Sequence, residues 1–210
     1  MYYFIKTPWY LKKLYSNLTW DVPSRGKEKV MYLTFDDGPN ETATPFVLDQ
    51  LKKYNASGTF FCIGKNVAGH PSLYSQILSE GHVTGNHTFN HLNGWKVTDD
   101  AYFKDIIEAK KFIDSKLFRP PYGRITRFQA KHLVESSHKF NVIMWDVVSG
   151  DFDTTISPEK CSNNVLRNAG HGSIVVFHDS DKAFPNLRAA LPATLDYFSV
   201  RGYRFEAIRL

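Results

Sequence analysis

The chain has 210 residues, of which 42% are hydrophobic and 22% charged, and it carries a formal net charge of +5 at pH 7. This length and composition predict one globular domain with its own core and exclude a disordered or low-complexity chain. Lys and Arg are spread along the chain and form no cluster interleaved with aromatic residues, so we expect no nucleic-acid partner. We expect no transmembrane segment, because no stretch is apolar for long enough to cross a bilayer.

The first 28 residues form an aromatic segment that includes Tyr3, Phe4, Trp9 and Tyr10. We expect residues 1–28 to pack as an arm on the domain formed by residues 29–210, with a place on a membrane surface or against sugars as the alternative. The segment lacks the apolar region and cleavage site of a signal peptide, so the sequence favours a cytoplasmic protein over one of the cell envelope. It predicts no particular oligomeric state.

Strand-like and helical segments alternate along the rest of the chain. Strand patterns cover residues 30–35, 59–63, 82–85, a short run ending at 118, 141–147, 173–178 and 203–208. Helix start signals lie between them, as N-caps at Thr44, Thr98 and Ser157, and Pro71 opens a helix that Gly81 closes. About seven β-α units in a chain of this size predict a parallel (β/α) barrel in a single domain.

Two adjacent carboxylates, Asp36 and Asp37, end the first predicted strand and are followed by Gly38 and Pro39. Neighbouring strand residues point to opposite faces, so both acids can serve one site only where the chain leaves the strand, and Gly-Pro supplies that break. One Asp can hold a metal while the other accepts a proton from water. Each could also be a loop-capping residue, which is a common role for Asp.

Two histidines, His87 and His91, follow about fifty residues later and lie four positions apart. Two imidazoles and a carboxylate, with one position left for water, are the ligand set of a catalytic zinc site, and Asp37 is the expected third ligand. Zn²⁺ is the expected ion, with Co²⁺ or Ni²⁺ as alternatives. Cys62 and Cys161 are far apart, and we expect two buried free thiols.

Four motifs together resemble those of the polysaccharide deacetylases, the carbohydrate esterases that share the NodB homology domain. They begin at Thr34 (TFDDGP), Gly85 (GNHTFNH), Arg119 (RPPYG) and Ile174 (IVVFHD), and they occur in the order of that family. The resemblance spans roughly residues 29–210. It implies a distorted (β/α) barrel of seven or eight parallel strands, with the site at the carboxyl ends of the strands.

The resemblance also implies roles for individual residues. Asp36 would be the general base, held by a bidentate pair with Arg119, and the backbone N–H of Tyr122 would bind the oxyanion. His178 would be the general acid, with Asp151 as the carboxylate that raises its pKa. Structural roles for the arginine, the tyrosine and the strand-end histidine are the alternatives.

Substrate binding is the expected role of four further residues. Val176 would line the acetyl pocket, where the family more often has leucine, and Pro121 would stiffen the approach to the oxyanion donor. Phe152 stands where relatives carry tryptophan, and Val148 replaces an acid, which leaves the sugar-binding groove in question. Trp95 could supply a stacking surface instead, or it could be a core residue.

The sequence therefore predicts a metal-dependent hydrolase that removes N-acetyl groups from glycans containing N-acetylglucosamine. An O-acetyl esterase or a small-molecule amidase on the same fold is the first alternative. A carbohydrate-binding module without catalytic activity is the second, and it would show gaps among the ligands, the base or the acid. The sequence has none of these gaps.

Overall fold

The computed structural model describes residues 3–22, 28–135 and 139–210. Eight strands run through these residues: β1 (Lys29–Asp36), β2 (Thr59–Cys62), β3 (Val83–Asn86), β4 (Leu117–Phe118), β5 (Asn141–Val142), β6 (Val147–Val148), β7 (Ile174–His178) and β8 (Tyr203–Phe205). The helices are α1 (Trp9–Leu14), α2 (Ala43–Lys53), α3 (Gly64–Gly69), α4 (Pro71–Ser79), α5 (Asp99–Lys110), α6 (Arg127–Glu135), α7 (Pro158–Leu166) and α8 (Phe184–Ser199), with a 3₁₀ turn at Pro121–Gly123.

All pairings between the named strands are parallel, and the strand order is β5-β4-β3-β2-β1-β7-β6. The last strand, β8, pairs with the first half of β1. The predicted single-domain barrel of seven or eight parallel strands is thereby confirmed. Since the strands are parallel, their carboxyl ends meet at one rim, where the loops can build a site.

Strand β1 divides the molecule into an outer and an inner layer. Met31, Leu33 and Phe35 join a core cluster with apolar residues of the helices α2 and α8, whereas Val30 and Tyr32 belong to a second cluster on the opposite face of the sheet. This alternation follows from the two-residue period of a strand. Asp36 continues the inner face, so the same period that builds the core places this carboxylate inside the barrel at its rim.

Three of the predicted helix signals are confirmed and one is wrong. Thr98 and Ser157 cap α5 and α7 through their hydroxyls, and Pro71 opens α4. The N-cap predicted at Thr44 is wrong, because α2 already begins at Ala43. Asn40 accepts the N–H groups of Thr42 and Ala43 instead, which leaves the Thr44 hydroxyl free to bind elsewhere.

The single strand predicted for residues 141–147 is also wrong, since this segment holds the two short strands β5 and β6. Between them, the backbone carbonyls of Ile143 and Met144 turn to the side chain of Arg119. The contacts with this distant side chain lie where the regular ladder is interrupted, and a local sequence pattern does not show them.

The N-terminal segment lies along the residues that join β5 and β6. Lys6 forms an antiparallel bridge with Val147, and Thr19 forms a parallel bridge with Ile143. Beneath this segment the buried carboxylate of Asp146 accepts from Lys6 at 2.6 Å and from Lys12 at 2.7 Å. The boundary between residues 28 and 29 stays a prediction, and residues 1–2 and 23–27 of the predicted arm lie outside the described residues.

Cys62 and Cys161 are both buried free thiols, as expected. Among the residues that the structure describes, no helix combines the length and the apolarity needed to cross a membrane.

The Asp146 cluster predicts a pH-dependent contribution to stability. Burial raises the pKa of Asp146, but the bonds from Lys12, Lys6 and Ser173 outweigh it, so the pKa lies below its usual range. We expect Asp146→Asn to lower the free energy of unfolding by about 2 kcal/mol at pH 7 and the melting temperature by about 4–8 °C. A depressed carboxyl pKa stabilises the folded state above pH of about 4, so this difference should shrink as the pH falls through the folded pKa.

A matched control is Asp100→Asn, which removes an exposed pair with Lys104 and should change the melting temperature little. Thermal melts of both variants at several pH values test the cluster. Equal losses in the two variants, or a loss that does not change with pH, would contradict its role.

Candidate functional site

The rim of the barrel holds the two adjacent carboxylates where β1 ends. Asp36 is buried on the inner face, and Asp37 has a φ of 86°, which turns the chain out of the strand. The backbone carbonyl of Asp37 accepts from the Asn66 side chain at 2.7 Å. The predicted break after the strand therefore begins at Asp37 itself, and it allows both side chains to serve one site.

Asp37, His87 and His91 come together, with one potential ligand atom from each within 4.8 Å of the others. Asp37 Oδ1 lies 3.2 Å from His91 Nε2 and 3.7 Å from His87 Nε2. This oxygen is buried and takes part in no hydrogen bond of good geometry. A buried carboxylate oxygen without such a partner, facing two imidazole nitrogens, has the arrangement of a metal ligand.

The ring of His87 is held in one orientation by a backbone carbonyl. Its Nδ1 lies 2.8 Å from the carbonyl oxygen of Arg119. A carbonyl can only accept, so Nδ1 carries the hydrogen and Nε2 keeps its lone pair facing Asp37. Burial lowers the pKa of His87 to about 4, which keeps the ring neutral and able to ligate at neutral pH.

The charge on Asp37 is favoured by its surroundings. Burial raises its pKa, but the hydrogen-bonding contact with His91 and the charge of His178 outweigh burial, so the pKa lies below its usual range. The carboxylate is then the ionised form that a cation requires.

The loop that carries the two histidines is held by a residue outside the predicted site. Asp105 on α5 accepts the N–H groups of Phe89 and Asn90, both at 2.9 Å. Thr88 and His91 have left-handed φ values of 63° and 58°, which are unusual for residues with a side chain. Only long-range contacts show the role of Asp105, and the sequence offers no signal for it.

Arg119 is fully buried and binds Asp36. Its Nη1 donates to Asp36 Oδ1 at 2.7 Å and to the Thr34 hydroxyl at 2.7 Å. The predicted bidentate pair is wrong in its geometry, since Nη2 and Nε donate to the carbonyls of Met144 and Ile143. The guanidinium also lies 4.0 Å from the ring centre of Phe61. The arginine is thus shared between the carboxylate and the backbone of the neighbouring wall.

His178 ends β7 beside Asp36, which is its register partner on β1. Asp151 accepts from the backbone N–H of His178 at 2.7 Å, and its other oxygen lies 2.8 Å from His178 Nδ1. Burial lowers the pKa of His178, but the charge of Asp151 and the bond to it outweigh burial and raise the pKa to about 9. The imidazole is therefore a proton donor at neutral pH.

Tyr122 lies on the other side of the metal-ligand cluster. Its φ is 60°, and bonds from Gly123 N to Pro120 O and from Arg124 N to Pro121 O close the turn around it. The ring is exposed, and its centre lies 4.6 Å from the ring centre of His91. The turn thereby places the Tyr122 ring beside a candidate metal ligand. Pro121 is buried beneath it.

The residues expected to bind substrate are dispersed around this rim. Val176 is buried on β7, two residues before His178 and on the same face of the strand. The Phe152 ring makes an edge contact with the His178 ring at 5.1 Å. The core alternative for Trp95 is wrong, because 56% of this side chain is exposed. Contact of these residues with a substrate stays a prediction.

Asp179 is a site residue that the sequence reasoning missed. It is fully buried, accepts from Gly38 N at 3.0 Å and from the Thr44 hydroxyl at 2.5 Å, and so ties the loop after Asp37 to α2. Burial raises its pKa to about 8. The available signal was its place next to His178 at the end of a strand, which parallels Asp37 next to Asp36.

The N-terminal segment also reaches the site. The Tyr3 ring packs against Phe152 at 5.1 Å, and its hydroxyl donates to Asp153 at 3.0 Å. A Cβ on Gly150 would come within 2.9 Å of the same hydroxyl, so the loop is packed closely. Tyr3 thereby braces residues 150–153, the loop that carries Asp151.

Comparison with protein families gives one match, in which the model of the family described as polysaccharide deacetylase covers residues 24–140. A peptidoglycan-N-acetylglucosamine deacetylase from Bacillus cereus is 39% identical over 196 residues, which is 91% of this chain and 91% of that protein. The peptidoglycan-N-acetylmuramic acid deacetylase PdaC from Bacillus subtilis is 34% identical over 72% of this chain, which corresponds to 32% of that longer protein.

Among solved structures, the Bc1960 peptidoglycan N-acetylglucosamine deacetylase, in complex with a naphthalenyl N-oxidanyl-benzamide, superposes with a TM-score of 0.86. Its sequence is 32% identical, and the match covers 96% of this chain and 95% of that one. The likeness therefore extends over the N-terminal segment as well as the barrel.

His87 and His178 should titrate far apart in protein freed of divalent ions. We expect an NMR titration to give a pKa of about 9 for His178 and about 4 for His87. Asp151→Asn removes the carboxylate charge, so the pKa of His178 should fall well below 9, because only the smaller effects of the Asp37 and Asp36 charges then oppose burial. An unchanged His178 pKa in this variant would show that Asp151 does not set it.

Tyr3 should matter for the order of the loop at residues 150–153. We expect Tyr3→Ala to speed amide exchange of Asp153, which bonds to the Gly150 carbonyl, by about tenfold, since a ring contact of about 1.5 kcal/mol is lost. Tyr3→Phe keeps the ring and loses only the hydroxyl bond, so its effect should be smaller. Hydrogen exchange measured by NMR tests this prediction. Equal protection of the Asp153 amide in the wild type and both variants would show that Tyr3 does not stabilise the loop.

Proposed function

Because the chain belongs to the polysaccharide deacetylase family, we propose that it is a metal-dependent hydrolase that removes N-acetyl groups from a glycan of the peptidoglycan type. One observation carries the proposal. The ligand cluster of Asp37, His87 and His91 adjoins both a buried carboxylate, Asp36, and a histidine poised to donate a proton, His178. A base, an acid and a cation site at one rim are the groups that amide hydrolysis requires.

The residues present fit a divalent metal. Asp37 offers a buried oxygen without a well-formed hydrogen bond, and His87 presents Nε2 because its other nitrogen is held by a carbonyl. Imidazole and carboxylate together suit Zn²⁺ first, with Co²⁺ or Ni²⁺ as alternatives. When bound, such an ion supplies Lewis acidity, which polarises a carbonyl oxygen and makes a water molecule a stronger acid.

Asp36 accepts the proton of the attacking water in this proposal. Arg119 stabilises the negative charge of Asp36 and fixes its position through Nη1, while the carbonyls of Ile143 and Met144 hold the other end of the guanidinium. The base is therefore oriented before substrate arrives. Preorganisation of this kind contributes to catalysis because no group has to move as charge develops.

The oxygen of water bonds to the acetyl carbon, and the carbonyl oxygen gains negative charge. The backbone N–H of Tyr122 is the proposed donor to that oxygen, since the turn around it lies beside His91. His178 then gives its proton to the amide nitrogen as the carbon–nitrogen bond breaks. The products are acetate and a free amine on the sugar, and Asp151 balances the charge on His178.

The substrate class is supported by the relatives, whose names give the N-acetylglucosamine and N-acetylmuramic acid units of peptidoglycan. Acetate release from peptidoglycan, N-acetylglucosamine oligomers and acetylated xylan, measured in parallel, tests the class of bond. Release from xylan alone would favour the O-acetyl esterase. Release from none of them would favour a small-molecule amidase or a binding module.

The different roles proposed for Asp36 and Asp37 predict different effects of their substitution. We expect Asp37→Ala to lose both metal binding and acetate release. Asp36→Asn should keep metal binding and lower kcat by about 10²–10⁴-fold, because it removes the base and leaves the ligands in place. Metal content of the purified proteins and acetate release are the measurements.

Asp49→Asn, an exposed substitution on α2, is the control and should change neither property. Asp36→Asn leaves Arg119 with one charge partner fewer, so a thermal melt must accompany it. Full acetate release by metal-free protein, or full activity of folded Asp36→Asn, would overturn the proposed mechanism.

A further inference from the structure

Three exposed side chains lie on the two loops that meet at the His91 and Tyr122 rings. Trp95 and Tyr122 are 56% and 58% exposed, and Arg124 is exposed as well. Trp95 lies four residues after His91 on the same loop, and Arg124 lies two residues after Tyr122, whose ring contacts the His91 ring. The two loops that hold a metal ligand and the proposed oxyanion donor thus both end in exposed side chains.

These two loops are joined by a direct contact, because the Arg124 guanidinium lies 4.3 Å from the ring centre of Trp95. A cation over an indole at this distance is an attractive pair. The backbone beneath it is fixed too. Gln129 donates to the Gly94 carbonyl at 2.9 Å, and a Cβ on Gly94 would come within 2.6 Å of the Arg124 carbonyl oxygen. The placement of Trp95 and Arg124 therefore does not depend on their side chains alone.

Arg124 forms no ion pair with any carboxylate of the described residues. Arg204 differs, since it pairs with Glu28 and Glu206. A guanidinium that is stacked on one face keeps the N–H groups at its edge free, and these fit a carboxylate. The exposed aromatic faces of Trp95 and Tyr122 offer apolar surface for a sugar ring.

We propose that Trp95 and Arg124 form a subsite for an acidic glycan unit, in which the indole packs on a sugar ring and the guanidinium binds a carboxylate. The inference rests on the proposed function and assigns two residues that would recognise a carboxylate of its glycan substrate. Two sources share this chemistry, namely an acid substituent on the sugar and a carboxylate of an attached peptide.

Binding and kinetics on three glycans distinguish the sources. Neutral N-acetylglucosamine oligomers carry no carboxylate, peptide-free peptidoglycan strands carry the acid of the sugar, and peptide-bearing strands carry peptide carboxylates. We expect Arg124→Gln to raise Kd and KM about tenfold for one acidic class or both, with kcat and the neutral oligomers changed by less than about twofold. Trp95→Ala should weaken all three glycans.

Arg127→Gln is the matched control, because Arg127 is also exposed and stacked on an aromatic ring, that of Tyr15. It should leave binding of all three glycans unchanged. An equal loss of glycan affinity in Arg124→Gln and Arg127→Gln would show a general charge effect and contradict the subsite. Equal losses of affinity for neutral and acidic glycans in Arg124→Gln would contradict it as well.

Glycan binding and acetate release, measured on the same protein, test the subsite and the proposed function separately. If wild-type protein binds acidic and neutral glycans equally and releases acetate, the subsite proposal is wrong and the proposed function stands. If the protein prefers acidic glycans through Arg124 but releases no acetate, the subsite proposal is supported and the proposed function is wrong.

Discussion

The buried charge of Arg119 is the constraint on which the rest of the site depends. Taking a guanidinium out of water costs several kcal/mol unless a counter-charge and acceptors surround it. Asp36 supplies the charge, and Thr34, Ile143 and Met144 supply further oxygens. The same residue offers its own carbonyl to His87. One side chain and its backbone therefore couple the proposed base, a metal ligand and the wall of the barrel. Loss of Asp36 would leave a buried charge uncompensated, and loss of a neutral acceptor would leave a buried N–H group unpaired, so the position of the proposed base is tied to its surroundings.

Backbone strain is concentrated around the same rim. Asp37, Thr88, His91 and Tyr122 are all non-glycine residues with φ between 58° and 86°. Each such conformation costs about 1–3 kcal/mol and persists only where the surroundings fix it. Those surroundings are visible: the Asn66 amide holds the Asp37 carbonyl, and bonds within the Pro120–Arg124 turn hold Tyr122. These residues lie in the loops that carry two candidate metal ligands and the proposed backbone donor, so their fixed conformations position groups that the proposed hydrolysis would use.

Local pattern predicted the strands and the site positions, because apolar runs and the polar residues that end them are properties of neighbouring residues. Asp36, His87 and His178 lie at strand ends for that reason, and parallel strands bring such ends together. The sequence could not show what depends on distant partners. The guanidinium of Arg119 binds carbonyls between β5 and β6, where one strand was predicted, and the Thr44 hydroxyl donates to Asp179. The contact of Tyr3 with the Asp151 loop spans about 150 residues and has no local signature. The fold does not depend on the cellular compartment of the protein, and the expected cytoplasmic location stays a prediction.

Two histidines of the rim, His87 and His178, differ in pKa because their surroundings differ. His87 and His178 are the same residue type at the carboxyl ends of two barrel strands, yet burial lowers one pKa to about 4 while a carboxylate raises the other to about 9. The difference lies in the acceptor of each Nδ1: a neutral carbonyl for His87 and the Asp151 carboxylate for His178. A neutral carbonyl orients the ring but stabilises a positive charge too little to offset burial, so His87 remains a neutral donor of a lone pair. A carboxylate does both, so His178 retains a proton that it can give away. Groups of one type whose pKa values are pushed apart in this way mark the ligand and the acid of a site, and neither histidine could take the other's role without exchanging its acceptor as well.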